Sequence, residues 1–157
     1  MKGLNEFIVT ALLLAISFSG LIISLTVVKP LIEKSQDNFV INEALVNMQR
    51  ISNVIREISS EGEGSRRNIE IKITGGMYIF DEDADTLNFT YKLKSDLSFS
   101  GYKDGINIST SNRNVNMFMK IENVDFLNGY RLRKGDNSIS FKHEGFDDGV
   151  IKISVGS

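Results

Sequence analysis

Between Phe7 and Val28 this chain carries no charged residue, and only Thr10, Ser17, Ser19, Ser24 and Thr26 interrupt its apolar side chains. At about 1.5 Å of rise per residue, roughly 22 helical residues extend about 33 Å, enough to cross the hydrocarbon core of a bilayer. Apolar residues occur at every angle around such a helix, a pattern that suits burial in lipid or among other apolar helices. The run is longer than the apolar core of a secretory signal, and its basic flank is Lys2 alone. Val27-Val28-Lys29-Pro30 lacks the small residues after which signal peptidase cuts. The run is therefore expected to stay on the mature protein, with any cleavage ahead of it, at Gly3.

Pro30 lacks a backbone donor and is expected to kink or break the helix. From Leu31 the pattern becomes amphipathic. Ile41, Ala44, Leu45, Met48, Ile51, Val54, Ile55 and Ile58 recur at steps of three and four, with Lys34, Asp37, Asn42, Glu43, Asn47, Gln49, Asn53 and Arg56 on the other face. The stripe calls for a cover, either the rest of the chain or a neighbouring subunit. Glu61-Gly62-Glu63-Gly64-Ser65 ends the helix near residue 60.

Beyond residue 67 the period changes to two. Strands are expected at 68–74, 77–80, 86–91, 97–102, 106–110, 115–124, 130–133, 138–143 and 150–155. Turns are read at Gly75-Gly76, Asp81 to Asp85, Lys103 to Gly105, Lys134 to Asn137 and Gly145 to Gly149. Short strands with regular turn signals indicate an antiparallel sandwich or barrel. The expected class is α+β: a leader at 1–3, a helix over 4–60 (4–28 apolar, 31–60 amphipathic), a linker at 61–67 and an antiparallel β-sandwich-like domain at 68–157.

The formal net charge of −2, without a basic stripe, gives no reason to expect nucleic acid as a partner. Cysteine is absent, which excludes disulfides and thiolate chemistry. No zinc-protease, P-loop, nucleophile-elbow or dinucleotide-binding motif occurs, so no catalytic, cofactor or metal residues are assigned and an enzyme is not expected. His143, the single histidine, reads as a surface or packing residue on a strand. Asp81, Glu82, Asp83 and Asp85 could gather oxygen ligands for Ca²⁺, but they lack the glycine and distal glutamate of an EF-hand loop and read as a solvated hairpin turn. Met117-Phe118-Met119 reads as core or interface packing. Asn88-Phe89-Thr90 and Asn107-Ile108-Ser109 are sequons for N-glycosylation of an exterior domain.

Lys2-Gly3 followed by Leu4-Asn5-Glu6-Phe7 at the head of a long apolar helix resembles the class III signal of type IV pilin-like proteins, with archaeal pilins and archaellins as the nearest likeness. The junction from Val54 to Ile73, followed by Gly75-Gly76, adds to it, so the resemblance covers roughly residues 1–80. It implies that a prepilin peptidase recognises Lys2, Gly3 and Leu4 and leaves the apolar helix in place. Bacterial members keep a Glu fifth in the mature chain; Glu6 would stand third. The implied partners are the membrane before assembly, the peptidase and assembly machinery, and identical subunits in a helical homopolymer outside the cell. Adhesion or motility would follow from that filament. Ala11, Ala15 and Ser19 lie at four-residue steps with Gly20 beside them, and small residues of this kind let helices approach closely. Glu6 could pair with the α-amino group of an adjacent subunit. The competing reading is a membrane-anchored surface domain, or a minor pilin, that does not itself polymerise.

Overall fold

The computed structural model describes residues 2–157, with side chains from Glu6 onward. Helix α1 (Lys2–Ile23) passes through a π-helical turn (Ser24–Val28) into α2 (Lys29–Glu61). The break expected at Pro30 does not occur. A proline ring excludes the carbonyl four residues earlier, here that of Thr26, and Thr26 lies inside the π turn. The wider turn absorbs the conflict, and the Lys29 N–H bonds the Ser24 carbonyl five residues back. Pro30 is then the second residue of α2, directly after the wider turn.

Eight strands follow: β1 (Arg66–Asp81), β2 (Thr86–Lys92), β3 (Gly101–Lys103), β4 (Ile106–Ser111), β5 (Asn114–Lys120), β6 (Val124–Phe126), β7 (Tyr130–Asp147) and β8 (Val150–Gly156). They form one sheet in the order β3-β4-β5-β2-β1-β7-β8-β6, antiparallel except for β6 beside β8. The α+β class is as the periodicity indicated, but the two layers of a sandwich are replaced by one sheet that curls. β1 and β6 are three strand steps apart, about 14 Å in a flat sheet. Yet the rings of Phe80 on β1 and Phe126 on β6 stand edge-on at 5.4 Å. The Phe126 N–H also reaches Asp85 Oδ1 at the β1–β2 turn, at 3.3 Å.

Several expected boundaries are corrected. Lys134 to Asn137 is no turn; Gly135 lies within β7, opposite Ile73 of β1. Gly75-Gly76 is an irregularity within β1, between Ile73 and Met77, and not a turn between two strands. Residues 97–100 form no ladder; the Thr110 hydroxyl instead bonds both the N–H (2.9 Å) and the carbonyl (2.8 Å) of Phe99. The stretch expected over 115–124 divides into β5 and β6 at Ile121 to Asn123, where Asn123 has a positive φ of 58°.

At Gly76 the φ is +82°, and an added Cβ would stand 2.5 Å from the Phe89 ring and 2.7 Å from the Thr90 carbonyl oxygen. Gly76→Ala is expected to destabilise the domain by about 2 kcal/mol through backbone strain and overpacking. Gly156→Ala, into open space, is expected to leave the urea midpoint unchanged.

The amphipathic stripe of α2 lies in the core. Val40, Ile41, Ala44, Leu45, Met48, Ile51, Ile55 and Ile58 are buried, and Val54 packs against them. A polar stripe on the same helix meets β1. β2 covers only Met77 to Asp81 of one β1 edge, so the same edge over Glu70 to Thr74 has no strand beside it. Side chains of α2 take its place. Asn47 donates to the Lys72 carbonyl (3.2 Å), Arg50 donates to the Glu70 carbonyl (3.0 Å), and Glu43 accepts from the Thr74 N–H (2.8 Å) and hydroxyl (2.6 Å). The helix therefore supplies both apolar burial and the hydrogen bonds that a further strand would have made.

Candidate functional site: an uncovered helix and its anchor

From Glu6 to Lys29 every side chain is exposed; the β domain covers none of this length. Phe7, Leu13, Ile16, Phe18 and Leu25 are all more than half exposed. By length and composition the helix can cross a membrane. Four of the five hydroxyls between Phe7 and Val28 bond back into the helix. Thr10 donates to the Glu6 carbonyl, Ser17 to Leu13, Ser19 to Ala15 and Thr26 to Ile22, all at 2.7 to 2.9 Å and four residues back. A hydroxyl bonded in this way adds little desolvation cost in lipid or in a helical sheath.

Ala11, Ala15, Ser19 and Gly20 are on this exposed length, and an added Cβ at Gly20 would meet nothing within 4 Å. Ser19 spends its proton inside the helix, so its stripe offers close approach and not a donor. Glu6 is exposed at the head of the run. Met1, and the side chains of Lys2, Gly3 and Leu4, lie outside the described residues, so the expected peptidase site has no side-chain geometry here.

The rod is anchored by a residue that sequence reading assigned to the solvated face. Asp37 is fully buried. Its carboxylate accepts from the Tyr91 hydroxyl (2.9 Å), the Lys94 N–H (3.0 Å), the Ser95 N–H (2.8 Å) and the Ser95 hydroxyl (2.6 Å). Burial pushes this carboxyl up, but the bonds from Ser95, Lys94 and Tyr91 outweigh it and hold it below its ordinary value. Burial, reinforced by Asp37, pushes the Tyr91 phenol up to about 12. Lys94 Nζ adds a bond to Gln36 at 2.8 Å. The anchor lies two turns past Lys29 and ties α2 to the end of β2 and the loop after it. No motif marks it; the only local hint is an acid next to the apolar pair Val40-Ile41.

Of the other residues that drew attention in the sequence, His143 has a packing role and the acidic cluster a turn role. His143 is buried, with Nε2 3.2 Å from the Gly145 carbonyl, its ring edge-on to Phe146, and no partner for Nδ1. Within the acidic turn, Asp81 accepts from the N–H groups of Asp83 and Ala84, and Glu82 accepts from the Gly129 N–H. Among the described residues no group of three or more acidic, histidine or cysteine side chains is placed to hold a metal. Met117 and Met119 are buried, whereas Phe118 between them faces outward. Asn88 is half-buried on β2, and Asn107 is exposed on β4.

No family model, no curated protein and no solved structure matches this chain.

Proposed function

We propose that this chain is the structural subunit of an extracellular type IV pilus-like filament, held in the membrane by its apolar helix before assembly and packed through that helix afterwards. The observation that carries this reading is the uncovered length from Glu6 to Val28, continuous through the π turn with a helix whose other half is the core of the β domain. A simple anchor needs only to be greasy. A filament subunit also needs its domain set at a fixed angle on the rod, and the Asp37 anchor and the buried stripe of α2 provide that coupling. Back-bonded hydroxyls and small residues leave a surface that lipid and sister helices can both cover. The reading places the β domain outside the cell and gives the chain no catalytic role.

Two measurements test it. Subunits recovered from sheared surface filaments are expected to begin at Leu4, after removal of residues 1–3. Ala15→Trp, which inserts bulk where helices would meet, is expected to abolish filaments while the circular dichroism of the β domain stays unchanged. Filaments that assemble normally with Trp at position 15 would remove helix packing as the basis of assembly. Full-length protein found only in the membrane fraction would make the chain an anchored domain instead.

A further inference from the structure

The two sequons occupy one outward-facing patch of the sheet, and their surroundings differ. Across β3, β4, β5 and β2, Tyr102 pairs with Asn107, Asn107 with Phe118, and Phe118 with Asn88. Directly opposed residues share a face and stand close enough for their side chains to touch. The sequon hydroxyls form the next row, with Asn116 between Ser109 and Thr90. Tyr102 is 76% exposed and Phe118 46%. Only two other large apolar side chains of the described β domain, Leu127 and Phe146, are comparably exposed. Two of the four thus flank a single asparagine, on either side.

We infer that Asn107 carries an N-linked glycan whose first sugars lie against Tyr102 and Phe118, and that Asn88 stays unmodified. Asn107 is exposed on a strand one place from the sheet edge, beside the three-residue β3. Asn88 lies on β2, hydrogen-bonded between β1 and β5, and its amide donates to the Thr86 hydroxyl at 3.0 Å. A sugar's apolar C–H face covers an aromatic ring while its hydroxyls stay in water, which gives the exposed pair Tyr102 and Phe118 a partner of suitable chemistry. In the transfer, the Asn107 amide nitrogen attacks C1 of an oligosaccharide carried on a polyprenyl phosphate or diphosphate. An N–C1 bond forms, the C1–O bond to the phosphate breaks, and the amide proton leaves with the phosphate group. No oxidation or reduction is involved.

The inference rests on the exterior placement of the β domain, and the experiment separates the two. Trypsin cuts after Lys103 and Arg113 and releases Asn107 within residues 104–113; Asn88 is released separately within residues 73–92. For protein taken from its own cells, peptide 104–113 is expected to be heavier by whole sugar residues and peptide 73–92 to have its bare mass. Asn107→Gln and Ser109→Ala are each expected to remove the added mass completely. A bare 104–113 peptide, or a glycan on 73–92, overturns the assignment. Protease shaving of intact cells then locates the failure. If the domain is shaved, the site is wrong; if it is protected, the exterior reading fails with it. The aromatic cradle has its own readout. The thermal midpoint of the glycosylated protein is expected to exceed that of Asn107→Gln, and this gap should close when Tyr102→Ser and Phe118→Ser are combined. A gap that persists removes the cradle.

Discussion

Asp37→Ala is expected to destabilise the folded chain by about 4 kcal/mol, measured as the shift in the urea midpoint of the full-length protein in detergent micelles. The carboxylate serves four donors, from Tyr91 near the end of β2 and from Lys94 and Ser95 in the loop after it. Truncation leaves the N–H and hydroxyl of buried Ser95 with no acceptor, which costs more than the bonds contribute when made. Asp37→Asn keeps one carbonyl oxygen but points an N–H₂ at further donors, so an intermediate loss is expected. The pH dependence follows from the same geometry. Because the folded-state carboxyl is held below its ordinary 3.8, its contribution is fully present above the unfolded value and disappears as pH falls through the lower folded one. Wild-type stability should therefore decline below about pH 4, and this part of the decline should be absent in Asp37→Asn. At the alkaline end the sign reverses. Tyr91 keeps its proton up to about 12 when folded, so its contribution is present below the unfolded phenol's value near 10 and is lost as pH rises from there toward 12.

The second large effect is expected at Phe80. Phe80→Ala should cost about 3–5 kcal/mol by the same measurement, since the side chain is fully buried and its loss leaves a cavity. The ring also meets Phe126 at 5.4 Å and Phe141 at 5.7 Å, both edge-on, and such pairs add to simple burial. These contacts hold the curl of the sheet, drawing β6 over β1. Phe80→Leu keeps most of the volume and is expected to cost about 1.5 kcal/mol. The difference between the two variants should appear as early loss of hydrogen-exchange protection over Val124 to Phe126 in the alanine variant.

Local periodicity made α2 legible in the sequence, because steps of three and four reveal a buried face without knowledge of what covers it. The stripe from Ile41 to Ile58 could be read residue by residue for that reason. Asp37 and Asn47 could not. They look like solvated polar residues, and their partners lie 25 to 58 positions further along the chain. Strand ends were misread where composition and topology conflict. Gly135-Asp136-Asn137 has turn chemistry, yet β7 continues through it because Ile73, Lys72 and Ile71 of β1 wait opposite. Leu97 and Phe99 alternate with serines like a strand, but a single threonine hydroxyl replaces the ladder there. In the candidate site, the apolar run was evident from composition alone, whereas the Asp37 anchor exists only after folding.

The polar stripe of α2 also bears on how such molecules coexist at high density. Wherever copies are concentrated, a bare run of peptide groups from Glu70 to Thr74 would invite a neighbour's backbone to extend the sheet. Glu43, Asn47 and Arg50 seal that run from within. That stretch of β1 is thereby closed to a neighbour's backbone, which leaves the three-residue strands β3 and β6 as the edges of the sheet.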